Sequence, residues 1–119
     1  MILGDTSVWI AHFRTANLEF VRALDADEVV MHPFVLGELA LGSLHARRQT
    51  LIDLNALEPV QVARHEDVLE LVENRQLFSR GIGYVDTHLL ASCLIAGNCK
   101  LLTRDSRLRE TAEQLGIAA

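Results

Sequence analysis

Ile2-Leu3-Gly4-Asp5-Thr6-Ser7-Val8-Trp9-Ile10 opens with a short apolar run, meets an acid, and then turns amphipathic. The run suits a buried strand with its carboxylate at the C-terminal end. Thr6 or Ser7 is placed to cap a helix through Val8, Trp9, Ile10 and Phe13. The arrangement returns near the other end of the chain. Lys100-Leu101-Leu102-Thr103 reads as a strand, Asp105 follows it, and a helix fits Ser106 to Leu115, stopping at Gly116.

Further strands and helices alternate between these two units. A helix fits Ala16 to Leu24, and Asp25-Ala26-Asp27 makes a turn into a strand at Glu28-Val29-Val30-Met31. Pro33 opens a helix at the first-turn position it tolerates, and another helix fits Arg48 to Leu57. Pro59-Val60-Gln61-Val62 reads as a strand with its proline first. Helical periodicity covers His65 to Phe78, Ser79 to Gly83 is a loop, and a strongly apolar helix runs from Tyr84 to Ala96 before Gly97-Asn98. Ile117-Ala118-Ala119 fits an edge strand or a tail. Short apolar strands alternating with helices predict an α/β fold, a parallel β-sheet flanked by helices on both faces. Such sheets bind ligands beyond the carboxyl ends of their strands, which singles out Asp5 and Asp105.

A chain of 119 residues, half of them apolar, fits a single domain over residues 1–119 with a core of its own. No apolar stretch approaches the roughly 20 residues of a membrane span, and the start has no basic segment of the signal-peptide kind. A cytoplasmic protein is expected. Cys93 and Cys99 fall six residues apart in sequence, on different faces if one helix carries both, and read as buried small hydrophobes in a reducing compartment. The net charge of −5 is not that of a general nucleic-acid binder.

Four carboxylates stand at element ends. Asp5 and Asp105 each suit a helix N-cap, and Asp86, in the first turn of the Tyr84–Ala96 helix, suits the helix dipole. The alternative is that they converge on one site. Glu38 resists a purely structural explanation, because Phe34-Val35-Leu36-Gly37-Glu38-Leu39-Ala40-Leu41 is apolar nearly all round and predicts a buried helix. A buried Glu needs a partner, an Arg at the rim or a cation. Two like charges at 4 Å cost on the order of 4 kcal/mol at an effective dielectric of 20. A hard divalent cation with oxygen ligands reverses that sign and suits a phosphate substrate.

These residues resemble the PIN domain family, in particular the ribonuclease toxins of the VapC type. Asp5-Thr6-Ser7-Val8-Trp9-Ile10, Gly37-Glu38-Leu39, Val85-Asp86-Thr87-His88-Leu89-Leu90-Ala91 and Leu101-Leu102-Thr103-Arg104-Asp105 match its motifs in order, across nearly the whole chain. The resemblance implies a Mg²⁺ or Mn²⁺ site on Asp5, Glu38 and Asp86, with Asp105 completing the acidic pocket. It implies Thr6 or Ser7 and Thr103 as hydrogen-bond partners of those carboxylates. It also implies hydrolysis of RNA phosphodiesters by a metal-activated water, a small cognate antitoxin that blocks the site, and a homodimer. Ser106 and Arg107 stand where some relatives carry a further Asp or Asn, which bears against a tightly held second metal.

Arg14, Arg80, Arg104 and Arg107 are the candidates for phosphate contacts, against the alternative of solvated surface arginines. An acidic surface also suits a basic antitoxin tail. His12, His32, His45, His65 and His88 read as surface or packing residues, and Trp9 as core. Two other readings compete with this one. A non-catalytic PIN-like interaction module would keep the acids and lack cleavage. A phosphoacceptor receiver domain would want an acid beside Asp5 and a lysine after a late strand, whereas the only lysine, Lys100, begins one.

Overall fold

The computed structural model describes every residue from Met1 to Ala119. Strands β1 (Ile2–Gly4), β2 (Val29–Met31), β3 (Glu58–Pro59) and β4 (Lys100–Leu102) form one sheet in the order β3-β2-β1-β4. All three pairings are parallel, with Leu3 opposite Val30 on one side and Leu101 on the other. Strands that run the same way release their chains at the same edge. Asp5, His32 and Thr103, each the residue after its strand, therefore emerge together.

The helices are α1 (Thr6–Arg14), α2 (Leu18–Asp25), α3 (Pro33–Leu41), α4 (Arg47–Asn55), α5 (His65–Arg75), α6 (Tyr84–Ala96) and α7 (Ser106–Gln114). Leu3, Val35, Leu90, Leu101 and Leu108 lie in one core cluster that joins the sheet to α3, α6 and α7. Each such side chain contributes roughly 1.5–3 kcal/mol on burial. Trp9 packs there edge-on to Phe20, ring centroids 4.9 Å apart. Ala63, Val68 and Ala91 form a smaller cluster that seats α5 on α6.

Several local expectations shift. Asp5 itself caps α1, accepting the Val8 N–H at 3.1 Å, and Thr6 and Ser7 fall inside the helix. The third strand is Glu58–Pro59, one residue earlier and shorter, because only Val30 and Met31 offer it a partner. The C-terminus makes a single parallel bridge, Ala118 to Leu101, in place of a full strand. The expectation of a buried α3 fails. Only Val35 and Leu39 are buried, Glu38 is exposed, and Leu41 is 90% exposed. The helix packs through one stripe against α1 and α4, and its apolar composition does not wrap neighbours around the rest.

The two cysteines are buried, as expected. Gly97 takes a left-handed φ of +77°, ends α6 and turns the chain back, so Cys99 lies outside the helix. Its sulfur comes to 3.6 Å from that of Cys93, and both are free, buried thiols. Lys100 is exposed at the start of β4, at the opposite end of the strand from Thr103 and Asp105. That placement removes the lysine a receiver domain would need beside its acid.

Candidate functional site

Asp5, a residue only 6% exposed, leads from β1 into α1. Its Oδ1 accepts from the Ser7 hydroxyl at 2.5 Å as well as from Val8 N–H, and its Oδ2 accepts from the Thr103 hydroxyl. Both hydroxyls act as adapters. Ser7 Oγ accepts the Arg104 N–H at 3.1 Å, and Thr103 Oγ1 accepts the Asp105 N–H at 3.0 Å. Asp5 N–H in turn donates to the Leu102 carbonyl at 3.0 Å. The ends of β1 and β4 are thereby joined through one carboxylate.

The other three acids approach from helix starts and one helix flank. Asp105 caps α7, with Oδ1 accepting from Arg107 N–H at 2.9 Å and Leu108 N–H at 3.0 Å. Asp86 lies in the first turn of α6, and its Oδ2 accepts from Gly83 N–H at 3.0 Å. Glu38, on α3, receives the Thr6 hydroxyl at 2.7 Å on Oε1. The capping bonds leave oxygens of these carboxylates free. A cap uses one oxygen, and Asp86 Oδ1, Asp105 Oδ2 and Glu38 Oε2 make no hydrogen bond.

The electrostatics link the four. Burial holds the Asp86 carboxyl above the usual Asp range; the Gly83 N–H works the other way, and the charges of Asp5, Asp105 and Glu38 add to the rise. None of the four is ion-paired, since the only salt bridge joins Arg64 to Asp67. Uncompensated oxygen donors are the set a hard divalent cation takes. On that chemistry the residues fit Mg²⁺ or Mn²⁺. No three acidic, histidine or cysteine side chains are drawn in tightly enough to enclose an ion by themselves.

The four arginines of interest divide. Arg14 and Arg104 line a cleft beside Ser7 and Thr103. Arg107 lies along the loop before α6, where a Cβ on Gly81 would come within 2.5 Å of its guanidinium. Arg80 is taken up locally, donating to the Gln76 carbonyl at 3.0 Å and to the Gln114 side chain. Two features escaped the sequence. Arg109 and His12 join Arg14 and Arg104 in the same cleft, which α1, the end of β4 and α7 line together, as no local pattern announces. The Tyr84 hydroxyl bridges His65 Nδ1 at 2.7 Å and His88 Nε2 at 2.8 Å, a cluster of three residues from α5 and α6.

Comparison with known proteins gives concordant results. A family model described as PIN domain matches residues 2–114. Ribonuclease VapC32 of Mycobacterium tuberculosis, in two strains, is 46% identical over 118 residues, covering 99% of this chain and 95% of the relative. Among solved structures, PAE2754 from Pyrobaculum aerophilum superposes with a TM-score of 0.65 at 15% identity, over 96% of this chain and 90% of that one. At that identity the likeness speaks to the fold alone.

Proposed function

The chain belongs to the PIN domain family, and from that premise we propose that it is a metal-dependent endoribonuclease, the toxin of a VapBC-type toxin–antitoxin pair. The relative that matches nearly its full length is named a ribonuclease. The observation that carries the reading is the linkage of the acids at the carboxyl edge of the sheet: the Thr103 hydroxyl joins Asp5 to the Asp105 backbone, and Thr6, next to Asp5, holds Glu38.

In this reading Asp5, Glu38 and Asp86 hold Mg²⁺ or Mn²⁺, and Asp105 completes the pocket. A bound ion of this kind polarises phosphoryl oxygens and lowers the pKa of water. Ser7 and Thr103 fix both oxygens of Asp5, and Thr6 fixes Glu38, so the carboxylates are oriented before substrate arrives. Arg104, the residue before Asp105, and Arg107, two residues after it, contact phosphates of the RNA, together with Arg14. Arg80, already engaged by Gln76 and Gln114, stiffens the loop into α6.

Residues 1–119 act as one domain, paired as a homodimer and blocked by a small antitoxin protein. Ile10 and Phe13 on α1, Phe34 and Leu41 on α3 and Ile52 on α4 are exposed apolar side chains that support a protein partner. No helix is long and apolar enough to cross a membrane, and a cytoplasmic site of action is proposed.

The test is RNA cleavage by the purified, antitoxin-free protein with Mg²⁺, with Mn²⁺ and with chelator. Cleavage should stop in chelator and return with either ion. Cleavage that persists in chelator rules out the metal-dependent mechanism.

A further inference from the structure

A cleft of about 790 Å³ opens between α1, α2 and the end of β4. Arg14, Arg104, Arg109 and His12 line it, and no carboxylate does. The chain as a whole carries 16 acidic against 11 basic side chains, so this wall reverses the prevailing sign. The guanidiniums of Arg14 and Arg104 make no hydrogen bond within the protein. Arg109 spends one N–H on the Thr103 carbonyl at 3.1 Å. A guanidinium has five donors in a planar fork, so most of the capacity is unspent. His12 Nδ1 is buried here without a partner.

The cleft begins at the acidic site, because Ser7 and Thr103 line it and also hold Asp5. A polyanion approaching four carboxylates is repelled, and the repulsion reaches about 8 Å at physiological ionic strength. Forked donors next to the carboxylates offset it and match phosphate geometry in pairs. We propose that the Arg14–Arg104–Arg109 cleft is a phosphate-binding track for single-stranded RNA, seating the backbone adjacent to the nucleotide held at the carboxylates. The identity of the ligand as RNA rests on the ribonuclease reading. An acidic peptide would meet the same charges; the continuity of the cleft with the site of Asp5 favours the strand that is cleaved there.

The test is the salt dependence of binding of a fluorescent single-stranded oligoribonucleotide to the full chain, in chelator and starting at low salt. Arg14→Gln, Arg104→Gln and the control Arg48→Gln, on exposed α4 surface, are compared with wild type. Each cleft variant should bind several-fold more weakly and flatten the log–log salt slope by about 0.7, the share of one single-strand phosphate contact. The control should change neither. No binding by wild type, or unchanged affinity and slope in both cleft variants, overturns the track. Displacement of the RNA by a poly-glutamate peptide at lower concentration than by unlabelled RNA overturns RNA as the ligand. Slopes of this kind, with no cleavage of RNA once Mg²⁺ or Mn²⁺ replaces the chelator, leave the track standing and defeat the nuclease reading, so the two failures are distinguishable.

Discussion

Thr103 donates its hydroxyl to Asp5 and accepts the backbone N–H of Asp105. A single side chain therefore sets the distance between the acid that ends β1 and the acid that follows β4. Both Thr103 and Asp5 are buried, where an unmade hydrogen bond is expensive.

Thr103→Val keeps the shape of the side chain and removes both bonds. It should destabilise the fold by about 1–3 kcal/mol, the cost of leaving buried polar groups unpaired. Metal affinity should fall about 10- to 100-fold, the range for partners that orient ligands. Thr103→Ser should recover most of both. Urea unfolding and metal titration on the same samples measure the two effects.

Glu38 is exposed, and only the Thr6 hydroxyl holds it. Glu38→Gln should therefore abolish cleavage while changing stability by less than about 0.5 kcal/mol. Thr6→Ala should lower activity by less. Cleavage at the wild-type rate by Glu38→Gln would remove it from the site.

Asp86 makes the opposite trade. Its folded carboxyl is raised, chiefly by burial, so the native state holds its proton more tightly than the unfolded chain does. The stability this gives is present below the ordinary Asp range and is lost as pH rises through the raised value. At neutral pH the charged Asp86 is a burden until a cation arrives. Asp86→Asn, which can still accept the Gly83 N–H, should raise the melting temperature in chelator and lose the further rise that Mn²⁺ gives wild type. Thermal scans with and without Mn²⁺ report both.

His32 provides a second pH limb, opposite in sign to that of Asp86. It caps α3 by accepting the Phe34 N–H at 3.0 Å, and it is fully buried. Burial first, and the charge of His88 second, lower its pKa from 6.5 to about 4. Its stabilising effect is fully present above pH 6.5 and is lost as pH falls towards about 4, because the unfolded chain takes the proton first. His32→Asn, a competent cap, should lower stability at neutral pH through the smaller side chain, yet flatten the loss over that window. Denaturant unfolding at a series of pH values checks the slope.

Asp5→Asn, Glu38→Gln and Asp86→Asn should each abolish cleavage and weaken metal binding in a protein that still folds. Asp105→Asn should cost less activity, as expected of a residue that completes the pocket. Equal losses in all four would give Asp105 a direct share in holding the ion.

The sequence announces Asp5 and Asp105 because each follows a short apolar strand, and parallel strands deliver their C-terminal residues to one edge. Asp86 and Glu38 are legible mainly through family motifs, since a first-turn acid and a helix acid have ordinary uses. The exposure of Glu38 and Leu41 was not legible, because apolar composition does not specify where a helix lacks neighbours. Nor were the Arg109–Arg14 cleft and the Cys93–Cys99 contact. The first depends on how α1, the end of β4 and α7 come together, and the second on the reversal at Gly97.

The most direct test of the central claim sets wild type beside Asp5→Asn on a mixed pool of structured RNA in Mg²⁺, with both proteins shown to be folded. A nuclease whose metal depends on Asp5 gives discrete cuts as wild type and none as the variant. Matching cuts from both proteins, or none from a folded wild type that binds Mn²⁺, would contradict it.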